Sequence, residues 1–356
     1  MAGQRGTQTM QQGRRRYLVT GGLGYVGAWI TSELAEAGHE VFALSRGTDK
    51  PELRPNPAPD TTKEAGARQA AALPYALVRA DLAEQGPAEI AALLPERLDG
   101  VVHAASFNEA LAPDYGRKAL AANALGTRNL LEALIVQGKE KGRPLPLFLY
   151  FSTFHVYGEI CGHITEDTPP RPRNDYGLTH LFGEEYCRMF ARASGLPHIV
   201  LRPSNGYGAP KTAASTKWYL LLNDLCKSAF TEGRIVLRSD PAVPRDFVWL
   251  GDVAAAVKTL LERPDLAGQA FNISSGSALA LGEVARRAAA GAARFFNRDI
   301  PLILEREPDP ATSGQALHVD NSAVRAALNI IFHDRMDEEI ISLLSLLAKA
   351  RPAGAP

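Results

Sequence analysis

The sequence predicts an α/β protein, a doubly wound, mostly parallel sheet with a smaller C-terminal α/β lobe. Three observations carry this. Residues 16–28, Arg-Tyr-Leu-Val-Thr-Gly-Gly-Leu-Gly-Tyr-Val-Gly-Ala, pass from an apolar strand through a glycine turn into a helix. Further short apolar runs alternate with helical segments along the N-terminal half. Small residues, Ala104-Ala105-Ser106, follow the fourth of these runs and leave room at a strand's carboxyl end.

In the first stretch, Tyr17–Val19 reads as a buried parallel strand and Tyr25–Ala37 as a helix stopped by Gly38. Gly21, Gly24 and Gly27 let the backbone turn sharply and approach a pyrophosphate, which then rests on the helix N-terminus. A lone glycine turn is equally an ordinary tight turn. With the strand before it and the helix after it, Gly21, Gly24, Tyr25, Val26 and Gly27 read as a dinucleotide cradle.

Composition narrows the class. The 356 residues are 46% apolar, enough for a large core in one or two domains. Lys plus Arg and Asp plus Glu are 39 each, so no global positive field invites nucleic acid. Cys161, Cys187 and Cys226 are scattered and odd in number; they form neither a disulfide framework nor a metal-ligand spacing, so no metal is read. A reducing, cytoplasmic location fits. No apolar run is long enough to span a membrane, and residues 1–13 lack the apolar core of a secretory signal. They read as a disordered leader, ahead of a nucleotide-binding domain over 14–202 and a mainly substrate-binding lobe over 203–350, some of whose segments return to the first domain.

Taken in order, Glu40–Leu44 is the second strand, and Ser45-Arg46-Gly47 stand at its end. A dinucleotide fold that prefers NAD places an acid near here, on the ribose 2′-hydroxyl; an arginine instead suits a 2′-phosphate. Ser45 and Arg46 therefore favour NADP over NAD, the alternative being an exposed loop arginine. Residues 47–75, rich in proline, read as a surface insertion or lid, partly helical over 62–72. Strand three, Ala76–Arg79, ends in Asp81-Leu82, with Asp81 an N-cap for a helix over Leu82–Leu94. Strand four is Gly100–His103. Leu120–Ile135 is an amphipathic helix, and Leu147–Phe151 strand five. Tyr176 opens a helix to about Ala193, and His198–Leu201 is strand six. Further helices cover Trp218–Phe230, Val253–Leu261 with Asp252 as its cap, Leu281–Ala292 and Arg335–Leu347, with a strand at Ile235–Leu237.

The motifs within these elements resemble one family. Thr20-Gly21-x-x-Gly24-x-x-Gly27, Asp81-Leu82, His103-x-Ala105, the helix from Asn123, Ser152-Thr153-x-x-x-Tyr157-Gly158, Tyr176-x-x-x-His180, Arg202-Pro-x-Asn205-x-Tyr-Gly and Arg245-Asp-Phe are similar to the extended short-chain dehydrogenase/reductases, in their nucleotide-sugar epimerase/dehydratase branch. The resemblance runs from about residue 16 to about residue 345. It implies a Rossmann-type sheet binding NAD(P), with Asp81, Leu82, Ala104, Ala105, Asn123 and Pro203 beside the cofactor and Asn123 bracing the backbone near the catalytic tyrosine. It implies Thr153 bonding the reacting substrate oxygen and Tyr176 as general acid/base. Asn108, Asn205 and Arg245 fall to the substrate, Arg245 on the nucleotide diphosphate; in the loop after Asn205, Lys211 or Lys217 reaches the sugar unless both are simply solvated. It also implies a homodimer in which the helices at 120–135 and 176–193 form a four-helix bundle.

Two positions depart from the pattern. His180 stands where the family carries lysine, whose charge at ~4 Å and an effective dielectric of ~20 is worth about 4 kcal/mol, or roughly three pKa units on the tyrosine. A histidine keeps the ribose bond but tends to be neutral near pH 7. Phe154-His155 replaces the Asp-Glu pair of the 4,6-dehydratases, so that dehydration is not expected. Relatives that epimerise beside a keto carbon have a cysteine at the place of His155; a histidine could move that proton, or could merely contact substrate or pack. The expected function is epimerisation of a nucleotide-activated sugar through a transient keto intermediate. The alternatives are an NADPH-dependent ketoreductase and, because of His180, a cofactor-binding protein without turnover.

Overall fold

The computed structural model describes residues 13–47, 53, 74–109, 112–158, 161–211, 217–312 and 314–350. Most of the 47–75 insertion, residues 1–12 of the leader and the tail from 351 lie outside them. The elements run β1 (Arg16–Thr20), α1 (Tyr25–Glu36), β2 (Glu40–Ser45), β3 (Ala76–Arg79), α2 (Pro87–Leu93), β4 (Gly100–His103), α3 (Tyr115–Ala119), α4 (Gly126–Lys141), β5 (Leu147–Phe151), β6 (Gly162–Ile164), α5 (Asp175–Ser194), β7 (His198–Pro203) and β8 (Asn205–Tyr207). The C-terminal part adds α6 (Leu221–Glu232), β9 (Ile235–Leu237), β10 (Pro244–Trp249), α7 (Leu250–Leu260), β11 (Ala270–Ile273), β12 (Ala278–Ala280), α8 (Leu281–Phe296), β13 (Leu302–Leu304), β14 (Leu317–Val319), α9 (Ser322–Leu328) and α10 (Met336–Ala350).

Seven strands form one sheet in the order β11-β7-β5-β4-β1-β2-β3, every neighbouring pair parallel. Helices cover both faces, so the central strands are buried on both sides. This is why Leu-Phe-Leu-Tyr-Phe of β5 reads as an unbroken apolar run rather than an alternating one. The chain leaves β1 in one direction and β4 in the other, and the carboxyl ends of these two strands open a crevice at that switch point. The fold is the Rossmann-type α/β architecture expected. One continuous core runs from Tyr17 and Val19 of β1 to Leu343 and Leu344 of α10, while a second lies on the other sheet face beneath α2 and α4.

Several boundaries differ from expectation, each for a local reason. α2 begins at Pro87, not Leu82, because Asp81 closes a turn on the Ala83 N–H (3.0 Å) and Gly86-Pro87 supply the helix start. The 120–135 helix contains a π-helical turn over Leu120–Leu125 before α4 continues to Lys141. α6 starts at Leu221 rather than Trp218. α7 starts at Leu250, so Asp252 lies inside its first turn; it does not cap the helix but accepts from the His333 backbone N–H (2.5 Å).

Candidate active site

A cavity of about 650 Å3 opens over the carboxyl ends of the main sheet. Its floor is the β1–α1 turn. A Cβ at Gly27 would lie 2.1 Å from the Gly21 carbonyl oxygen, so this close backbone approach admits only glycine. Gly24 caps α1 and offers no side chain to the helix's first N–H groups, which leaves them for an anionic ligand. A dinucleotide's pyrophosphate fits such a cradle. At the rim beyond β2, Arg46 is two-thirds exposed, with its guanidinium 3.9 Å from the Asp81 carboxylate. Ser45 Oγ accepts the Gly47 N–H at 3.2 Å.

The opposite wall is built by β5 and α5. Asn174 caps α5 by accepting the Gly177 N–H at 2.8 Å, and this sets Tyr176 in the first turn. His180 follows one turn on, its ring centroid 4.6 Å from that of Tyr176. Thr153 lies at the end of β5. Burial raises the Tyr176 hydroxyl to about 12, and hydrogen bonding with Thr153 and then Ser106 works against that rise. His180 is buried, and desolvation takes it down to about 4 despite Glu184 and the Phe151 carbonyl, which favour its charged form. It is therefore neutral at pH 7. Its Nε2 lies 3.0 Å from Ser106 Oγ and its Nδ1 3.3 Å from the Tyr150 hydroxyl. Tyr150 can reach under α5 because residue 183 is glycine; a Cβ there would stand 2.0 Å from the Tyr150 hydroxyl.

Behind this wall, Glu184 is completely buried and held by four donors. Arg202 reaches both its oxygens (2.9 and 2.7 Å), Ser152 Oγ bonds Oε1 (2.6 Å), and Arg188 bonds Oε2 (3.0 Å). These donors together outweigh burial and keep its carboxyl below the usual range. The network locks α5 to β5 and β7.

The substrate side carries His155, whose ring is open to the cavity and lies 5.6 Å from that of Tyr176. Confinement in the cavity, and then the positive charge of Arg245, hold its pKa below the ordinary value. The Arg245 guanidinium is desolvated, donates to the Pro244 carbonyl at 3.0 Å, and makes no ion pair among the described residues. Asn205 lines the cavity but ties its amide to the Asp246 carbonyl (2.8 Å). Lys217 Nζ bonds the Asn108 carbonyl at 3.3 Å and the Tyr219 hydroxyl at 2.8 Å.

The cavity thus brings together Gly21, Gly24, Tyr25, Val26, Gly27, Ser45, Arg46, Asp81, Leu82, Ala104, Ala105, Asn108, Thr153, His155, Tyr176, His180, Pro203, Asn205 and Lys217. Two expected residues stand back from it. Arg245 does not line it, though its charge is felt at His155. Asn123 is buried in the π-helical turn, where its Oδ1 accepts the Phe107 N–H (2.6 Å) and its Nδ2 donates to Thr179 (3.1 Å). It is a brace for the wall that carries Tyr176, not a wall residue. His103 is likewise buried between Thr20 (2.6 Å) and Thr127 (2.9 Å). Sequence reasoning missed Ser106 and Tyr150. Ser106 stood in plain view after strand four, but only as a small residue.

A doubly wound sheet with a glycine cradle and a threonine–tyrosine pair facing it defines a dinucleotide-dependent oxidoreductase fold and site. A family model described as the NAD dependent epimerase/dehydratase family matches residues 17–274. The chain belongs to that family and is an enzyme of the extended short-chain dehydrogenase/reductase superfamily. Among curated proteins it is 26% identical over 264 residues to the uncharacterized UDP-glucose epimerase YtcB of Bacillus subtilis (strain 168), covering 72% of this chain and 76% of that one. It is 32% identical over 222 residues to a GDP-6-deoxy-D-mannose reductase of Pseudomonas aeruginosa, covering 58% and 68%. Among solved structures, MoeE5 in complex with UDP-glucose and NAD superposes with a TM-score of 0.71 at 22% identity, over 94% of this chain and 99% of that one.

Proposed function

We propose that this chain epimerises a nucleotide-activated sugar through a transient keto intermediate, using NADP in preference to NAD. The observation that carries the reading is the convergence of Thr153, Tyr176 and His155 on one cavity whose far end is a dinucleotide cradle. When bound there, the cofactor accepts and returns hydride. Thr153 holds the reacting sugar hydroxyl. Tyr176 takes its proton as the ketone forms and gives one back as the alcohol is restored. Ser106 lies between Tyr176 and the neutral His180, and the tyrosine must lose its own proton, as rising pH favours, before it can take one from the sugar. His155, neutral and facing the cavity, is placed to remove a C–H proton beside the carbonyl. Arg245, outside the lining as the site stands, turns in to anchor the diphosphate when substrate binds, with Asn205, Lys217 and Asn108 around the sugar. Phe154-His155 gives the site no paired carboxylates for 4,6-dehydration.

Arg46 at the cradle's rim supports a 2′-phosphate by charge and geometry. The same residue, together with the reductase relative, favours a second reading, NADPH-dependent reduction of a keto sugar. Assembly as a homodimer is supported by Leu178, Phe182 and Met189, which are exposed along one stripe of α5, with Leu120 and Leu125 exposed on the π-helical turn before α4. No described helix is long and apolar enough to cross a membrane.

The test is incubation with UDP-, GDP- and dTDP-hexoses and catalytic cofactor, followed by NMR. Epimer formation without net cofactor consumption supports the proposal; deuterium uptake from D2O at the inverted carbon shows inversion beside the ketone by proton transfer, and its loss in His155→Ala assigns that proton to His155. Stoichiometric NADPH consumption favours the reductase. Cofactor binding with no conversion of any substrate points to a protein without turnover.

A further inference from the structure

Away from this cavity, β6 and β14 pair in parallel with His163 opposite His318. Strand alternation turns Ile164, Leu317 and Val319 inward, into a small core with Phe154, Val156 and Tyr157. It therefore turns both histidines outward on one face. Their ring centroids are 4.9 Å apart. Asp320 follows, and its Oδ2 lies 3.2 Å from His163 Nε2. One donor atom from each of the three residues lies within 4.8 Å of the other two.

We propose that His163, His318 and Asp320 form a binding site for a divalent transition-metal ion of the Zn2+ class. Two imidazoles and a carboxylate are a borderline donor set that suits zinc with one position left open to water. Tetrahedral bonds of about 2.0–2.1 Å separate donor atoms by about 3.3 Å. The His163–Asp320 pair already has that spacing, and the remaining gap closes by a movement on the order of 1.5 Å at an exposed imidazole.

The surroundings orient the donors. His318 Nδ1 lies 3.0 Å from the Gly276 carbonyl, which fixes Nδ1 as the donor and leaves Nε2 a bare lone pair. The loop bearing that carbonyl is held by Asn321 Nδ2 on the Ser274 carbonyl (2.7 Å) and by Ser274 Oγ on the Val319 carbonyl (2.7 Å). The other oxygen of Asp320 accepts the Ser322 N–H at 2.7 Å, so Oδ2 faces His163. The His163 side chain is 59% exposed, which gives an ion its entry from solvent. An ion here would staple the C-terminal strand β14 to the segment that follows β5 and His155.

The test uses tag-free full-length protein stripped with chelator, at about pH 7.5, because protons compete with metal for nitrogen ligands at lower pH. Co2+ is followed by visible absorption and Zn2+ by calorimetry. One ion should bind per chain, and Zn2+ should raise the thermal midpoint. The double variant His163→Ala/His318→Ala should keep its circular dichroism, bind each ion more than tenfold more weakly and lose the thermal shift. His318→Gln alone should also weaken binding, which keeps the test open if the double variant does not fold. Absence of saturable binding in the parent overturns the proposal, as does binding that survives in the folded double variant.

Discussion

Tyr176 and His180 share one face of α5, and the protonation of each bears on the other. With the tyrosine raised to about 12 and the histidine lowered to about 4, neither carries charge at neutral pH. A raised tyrosine pKa means the tyrosinate grows as pH rises, so the oxidative rate should climb between pH 7 and pH 10, by up to ~10-fold per unit for a single ionisation. A flat profile would discard Tyr176 as the base. Tyr176→Phe should lower turnover by ~10² or more, measured with the parent's preferred sugar. His180→Lys should restore a fixed positive charge, shift the alkaline limb toward neutrality and raise the rate at pH 7; an unchanged pH profile would show that charge at 180 does not govern the chemistry. Tyr176 and Thr153 were legible in the sequence because each sits in a local motif. Ser106 and Tyr150 were not, because they meet His180 only after β4, β5 and α5 have packed. The resemblance places Asn123 as a brace near the tyrosine, but nothing in a helical pattern announces the π-helical turn that points its amide at Phe107 and Thr179.

Among the elements, the β1–α1 turn was the most legible, since strand, glycine spacing and helix are contiguous in the chain. Gly27→Ala would force a methyl group onto the Gly21 carbonyl. It should therefore weaken cofactor binding by more than tenfold, read by fluorescence titration; retention of parental affinity would mean the turn is not the cradle. At the end of β2, Arg46→Ala should narrow the preference for NADPH over NADH. Equal dissociation constants for the two in the parent protein would remove the basis for an NADP preference. Element ends were read less well than element cores. Periodicity extends an apolar pattern into a turn without penalty, whereas the chain stops where backbone partners change, as at Asp81 and Gly86-Pro87 before α2 and at Trp249-Leu250 before α7.

At the scale of the molecule, acid should be destabilising in a defined window. His103 is lowered to about 3, chiefly by burial, and His180 to about 4, both from an ordinary 6.5. As pH falls below 6.5 the unfolded chain binds these protons first, so stability falls by up to ~1.4 kcal/mol per pH unit per histidine until each folded pKa is reached. The thermal midpoint should drop between pH 7 and pH 5; a constant midpoint would show that these sites are hydrated. The α5 stripe yields a second expectation. Leu178→Asp with Phe182→Asp should convert a dimer to monomers in sedimentation velocity, and a parent that sediments as a monomer would end the bundle proposal. The overall architecture was legible because strands and helices alternate in order. The closure of the first core was not, for it depends on partners at opposite ends of the chain. Glu339 of α10 accepts from the Ala209 N–H (2.7 Å) and the Trp249 indole (2.9 Å), and Ile340, Leu343 and Leu344 complete the core that begins at Tyr17. During synthesis, then, the nucleotide-binding sheet cannot finish packing while it is alone outside the ribosome. Its edge strand β11 follows its neighbour β7 only after α6, β10 and α7, and α10, which packs on α6 and α8, comes later still; until they emerge the nascent chain presents apolar surface to whatever chaperone attends it.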